Sequence, residues 1–88
     1  MDSVDQTMFA DGFEEALVGV YTAGDLPRVV YNKAVMESII MISNNLSKEE
    51  ALEFLEHNVY NTYVGPGTPI YIHLLNYGQA INFITNKQ

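Results

Sequence analysis

Residues 46–72, LSKEEALEFLEHNVYNTYVGPGTPIYI, carry the strongest start and stop signals in the chain and frame everything on either side. Ser47 followed by Glu50 is the pattern of a capping box, in which the Ser hydroxyl accepts from the Glu50 amide and the Glu50 carboxylate accepts from the Ser47 amide. A helix therefore begins at Lys48, with Glu49 and Glu50 in its first turn, where the helix dipole favours carboxylates. Ala51, Leu52, Leu55, Val59 and Tyr63 recur at three- and four-residue spacing and predict one buried face, with Glu49, Glu53, Glu56 and His57 largely opposite. The run Gly65-Pro66-Gly67-Thr68-Pro69 stops that helix: Gly65 suits the left-handed position past a helix end, and the prolines lack the amides a further turn would need. Ile70 to His73 then reads as a short strand, with Pro69 at its start.

Before this frame, residues 16–22 and 28–31 are β-prone and flank the loop-forming Ala23-Gly24-Asp25-Leu26-Pro27, so they predict an antiparallel hairpin. Asn32 caps a predicted helix over residues 33–43, which ends before Asn44-Asn45. After the frame, Leu74, Tyr77, Ile81 and Ile84 lie at helical spacing and predict a terminal helix over residues 77–85. These elements give an α+β fold: a small three-stranded antiparallel sheet in the order ββααβ, with both helices on one face. Tyr21, Tyr31 and Tyr71 are expected on its other face. The expected organisation is an N-terminal arm at 1–10, a single domain at 11–76 and a C-terminal helix or tail at 77–88.

Four basic against eleven acidic residues give a net charge of −7, which opposes binding to nucleic acid or to anionic membranes. Arg28, Lys33, Lys48 and Lys87 are far apart in the sequence and are not expected to cluster. The absence of cysteine removes disulfides, thiolate metal sites and cysteine nucleophiles together, and fits a reducing compartment. The first thirteen residues hold no apolar run of the kind a signal peptide needs, and no segment has the ~18 consecutive apolar residues of a spanning helix. The expected location is the cytoplasm.

The chemistry on offer is sparse. Asp11, Glu14 or Glu15, Glu53 and His57 are the set from which a small metal-dependent or acid–base enzyme would be built, since carboxylates and a histidine hold divalent cations or move protons. Glu53 and His57 read more simply as a solvated pair one helical turn apart, and the spacings match no metal motif. A two-histidine site from His57 and His73 is the weaker variant. Ser3, Ser38 and Ser47 lack a nucleophile context, and the Gly65 loop lacks the Lys and following helix of a phosphate loop. No catalytic residue, metal ligand or cofactor is therefore assigned. Phe13, Phe54, Tyr60, Tyr63 and Tyr71 read first as packing residues, with Tyr60 placed off the main buried face of its helix and free for an interface. The helix at 33–43 carries Ala34, Val35, Met36, Ile39, Ile40, Met41 and Ile42 around more than one face, which predicts a homodimer or higher homo-oligomer contacting through Met36, Ile40, Met41, Tyr60 and Tyr77.

The segments DGFEEALVGV, VVYNKAVMESI, EEALEFLEHNV and VGPGTPIYI, in that order, resemble a family of short uncharacterised proteins encoded by tailed phages, marine cyanophage-like ones in particular. The shared pattern falls on Asp11, Gly12 and Phe13; Gly19 and Val20; Val30 and Tyr31; Glu50, Ala51, Glu53 and Phe54; Asn58 and Val59; Val64 and Gly65; and Thr68, Pro69 and Ile70. Beyond His73 the chain departs from that pattern. The resemblance implies a phage-like origin and a host-cell setting, and it brings no catalytic residue. The expected function is a self-associating interaction module whose further partner is a host or phage protein. The alternatives are the small enzyme above and an acidic mimic of nucleic acid.

Overall fold

A computed structural model describes residues 6–86. The chain forms a 3-10 turn (Glu14–Ala16), β1 (Leu17–Tyr21), β2 (Arg28–Asn32), α1 (Lys33–Asn44), α2 (Lys48–Leu55), a π-helical turn (Glu56–Tyr60), β3 (Ile70–Ile72) and α3 (Tyr77–Asn86). The class is α+β, and the terminal helix is present.

The local signals act where the sequence puts them. Both arms of the Ser47–Glu50 box form, at 3.1 Å and 2.9 Å. The Asn32 side chain accepts from the Ala34 amide at 3.0 Å, and Asn45 closes α1 in the left-handed conformation, with the Leu46 amide returning to the Met41 carbonyl. β1 and β2 pair antiparallel, with an irregularity between Leu17 and Gly19.

The third strand corrects the expected topology. β3 lies beside β2 but runs parallel to it, so the sheet is mixed, in the order β1-β2-β3. The reason is the path after α2. Residues 61–69 carry the chain back to the start of β2, where Arg28 Nε donates to the Thr68 carbonyl at 2.7 Å, and each later pair keeps that offset: Val30 with Ile70, Tyr31 with Tyr71, Asn32 with Ile72. Gly65 has the expected positive φ of 132°, but it does not end the helix. The helical backbone stops at Tyr60, and Gly65 instead opens a turn closed by Thr68, whose buried hydroxyl donates to the Gly65 carbonyl and accepts from the Val64 amide.

β2 supplies the centre of the core through Val29 and Tyr31, against which Phe13, Ala16, Met36, Ile40, Ala51 and Leu55 pack. Tyr31 and Tyr71 therefore face the helices rather than water, and their rings stack with centroids 6.0 Å apart; only Tyr21 of the three expected outward tyrosines is exposed. Tyr63, expected on the buried face of α2, is exposed as well. The π turn explains the exchange: it brings residue i+5 rather than i+4 under residue i, so Tyr60 takes the position below Leu55 and half-buries itself against the core.

Of the N-terminal arm, residues 1–5 lie outside the described residues, as do 87 and 88 of the C-terminal tail. Residues 6–10 are held to the domain: Thr7 Oγ1 donates to the Pro27 carbonyl, the Met8 amide to the Gly67 carbonyl and the Ala10 amide to the Tyr31 hydroxyl. Among the described residues no helix is long and apolar enough to cross a membrane.

Candidate functional site

Two features stand apart from ordinary packing: a tyrosine cluster beside a polar cleft, and a C-terminal surface that the domain leaves uncovered. The cluster starts from the parallel register, which sets Tyr71 beside Tyr31, and from the π turn, which brings the Tyr60 ring within 5.2 Å of Tyr71. Lys33, the first residue of α1, holds its Nζ 4.5 Å from the centre of the Tyr60 ring, a cation–π contact. Burial is the main cause that pushes the Tyr60 hydroxyl well above its ordinary range, with Glu37, Tyr71 and Glu56 adding to it. Burial, then Tyr31, raises Tyr71 in the same direction. Both phenols stay protonated as hydrogen-bonding groups at any ordinary pH.

Beside the cluster lies a cleft of about 390 Å³ between α1 and α2, lined by Lys33, Glu37, Lys48, Leu52, Glu56 and His73. The expectation that the basic residues stay apart is corrected here, since two of the four basic residues of the chain share this cleft. They arrive from different helices, which no linear spacing records. Two carboxylates line the same walls, so the cleft has no strong charge of one sign and no single ionic ligand that it selects.

The residues expected to carry chemistry do not assemble. Asp11, Glu14, Glu15, Glu53 and His57 are all exposed, and Glu14 Oε2 accepts from the Gly12 amide at 3.3 Å. His73 lines the cleft and His57 does not. Among the described residues no three His, Asp or Glu side chains come together in a way that could hold a metal ion.

The expected interface set divides sharply. Met36 is 0% exposed and Ile40 is buried with it, while Met41 and Tyr60 pack half-buried against the same core. These four are corrected from interface to interior, because α2 and β2 cover more of the circumference of α1 than a two-layer estimate allows. Tyr77 is the exception, at 84% exposed.

Tyr77 opens α3, none of whose residues is buried. A second capping box starts it: the Asn76 amide donates to Gln79 Oε1 at 2.9 Å, and the Gln79 amide to Asn76 Oδ1 at 2.8 Å. The Asn-x-x-Gln spacing that signals it is plain in the sequence, but it departs from the Ser/Thr-x-x-Glu form that sequence reading favours. Residues 57–86 contain no Asp, Glu, Lys or Arg, whereas all eleven acidic residues precede them. Leu74, Leu75, Tyr77, Ile81, Phe83 and Ile84 are exposed within that uncharged stretch. No family model, curated protein or solved structure matches the chain.

Proposed function

We propose that this chain is a small acidic accessory protein of phage-like origin that acts as a self-associating protein-interaction module rather than as an enzyme. One observation carries the reading: an uncharged C-terminal third presents large apolar side chains to water on a chain whose net charge is −7. Monomeric proteins rarely leave contiguous apolar surface of this kind uncovered, and where they do it marks a contact site. The distribution of charge adds to this. Copies of an acidic chain repel one another wherever their carboxylates face, and the segment free of charge is where they approach at least electrostatic cost. The order of the sequence segments that resemble tailed-phage proteins supports the origin, and a host or phage protein is the further partner the module would take.

Sedimentation equilibrium over roughly 1–100 µM, a range that brackets a Kd typical of a modest interface, tests self-association. The expected result is a mass that rises above the 9.9 kDa monomer with concentration. A mass that stays at the monomer value across the range refutes it.

A further inference from the structure

The geometry points to α3 as the self-association element: we propose that two copies of this chain pair through their α3 helices, antiparallel across a two-fold axis, with Tyr77, Ala80, Ile81 and Ile84 of each forming the contact. This rests on the self-association reading above and names its surface.

Helical spacing comes first. Tyr77, Ala80, Ile81 and Ile84 sit at i, i+3, i+4 and i+7, which places them in one stripe along the helix. Gln79, Asn82 and Asn86 lie on the opposite side, so the stripe is a true face. The tether of the helix to its own domain leaves that face open. Phe83 packs its ring on His73, with centroids 4.8 Å apart, and Phe83 lies roughly 100° around the helix from Ile84. The body of the domain is thus engaged by the flank of α3, while Tyr77, Ile81 and Ile84 remain 84%, 47% and 56% exposed.

The size of the uncovered surface fits a second protomer. The chain exposes 6213 Å², against about 5200 Å² for a folded monomer of its mass. The excess, on the order of 1000 Å², is comparable with the ~800 Å² that each partner buries in a standard interface. Its radius of gyration, 14.2 Å, likewise exceeds the ~12 Å of a compact chain of this length, as expected when one helix stands off the body.

Charge selects a copy of the same chain and selects α3 over the other open edge. α3 has no ionisable residue except Tyr77, so two α3 helices meet without carboxylates facing one another. β1 is also uncharged and exposed, but Glu14 and Glu15 precede it closely and Asp25 follows it. Antiparallel pairing of two β1 edges would set those acids of one copy against those of the other, and the irregularity at Leu17–Gly19 interrupts the edge as well. A two-fold contact through α3 needs only one surface, complementary to itself.

The test uses the absence of cysteine from the chain, so that a single introduced thiol is the only one present. In an antiparallel pair Ile81 lies near the axis and meets its own copy. Ile81→Cys is expected to form a disulfide-linked dimer under mild oxidation at micromolar concentration, and Gln79→Cys, on the far side of α3, to remain largely monomeric. Ile84→Glu is expected to weaken dimerisation by about tenfold or more in sedimentation, with an unchanged circular dichroism spectrum, because Ile84 is exposed in the monomer. If the wild-type chain dimerises yet Ile84→Glu leaves its Kd unchanged and the two cysteine variants cross-link equally, α3 is not the contact and the module reading survives. If the wild-type chain stays monomeric, both fall.

Discussion

Gly67→Ala separates a packing role for glycine from a conformational one. Gly67 does not adopt positive φ, so alanine fits its backbone without strain. Space is the obstacle: an added Cβ would overlap the Gln6 carbonyl oxygen and lie 2.8 Å from its carbon and 3.0 Å from Thr7 Cα. These are backbone atoms that no rotamer change removes, so the segment at 6–8 must lift away. The Met8 amide bond to the Gly67 carbonyl (3.1 Å) and the Thr7 hydroxyl bond to the Pro27 carbonyl (2.6 Å) go with it. At about 0.5–1.5 kcal/mol each, the loss is about 1–3 kcal/mol. Alanine returns about 0.4–1 kcal/mol by restricting the unfolded chain, which leaves a net cost on the order of 1 kcal/mol. Urea denaturation followed by circular dichroism reads this as a lower midpoint at constant slope. The decisive measurement is the same substitution after deletion of residues 1–8, where nothing remains to collide with and the sign should reverse to a small stabilisation. An equal cost with and without the arm would refute the steric argument and assign the effect to the turn itself.

The elements of this fold were legible wherever a signal is local. The Ser47–Glu50 box, the Asn32 cap and the hairpin around Gly24-Asp25 each depend on residues within a few positions of one another, and each formed. Strand direction did not follow from the strand. Ile70-Tyr71-Ile72 has the same composition whether parallel or antiparallel, and the return path at 61–69 decided between them. The interior of α1 was obscured for a related reason: its apolar residues cover several faces, and only the placement of α2 and β2 shows that Met36 and Ile40 are the ones enclosed. The π turn also has no compositional signature here, yet it moves Tyr60 inward and Tyr63 outward. For the candidate surface, Tyr77 was found from helical periodicity alone. The Lys33–Lys48 cleft was not, because it is made by two helices meeting.

Two predictions follow from the interior that Met36, Tyr60 and Tyr71 build. Met36→Ala removes a side chain with no exposed surface and should cost about 2–5 kcal/mol in chemical denaturation; a normal midpoint with lost self-association would return Met36 to an interface. The tyrosines predict alkaline sensitivity, and the sign is fixed by linkage. Burial raises both hydroxyls above the ordinary value of 10.0 in the folded protein, whereas in the unfolded chain they ionise near that value. Below pH 10 both states hold the protons and the contribution to stability is fully present. Above it the unfolded state binds fewer protons than the folded one, so stability falls as pH rises toward the folded pKa values. Absorbance of tyrosinate near 295 nm should therefore show the exposed Tyr21, Tyr63 and Tyr77 ionising ahead of Tyr60 and Tyr71, whose ionisation coincides with loss of circular dichroism. Tyr60→Phe leaves the ring over which Lys33 sits and removes the ionisable group, so it should move the alkaline unfolding transition to higher pH. If all the tyrosines titrate together while the protein stays folded, the cluster is open to water and the packing assigned to the π turn is wrong.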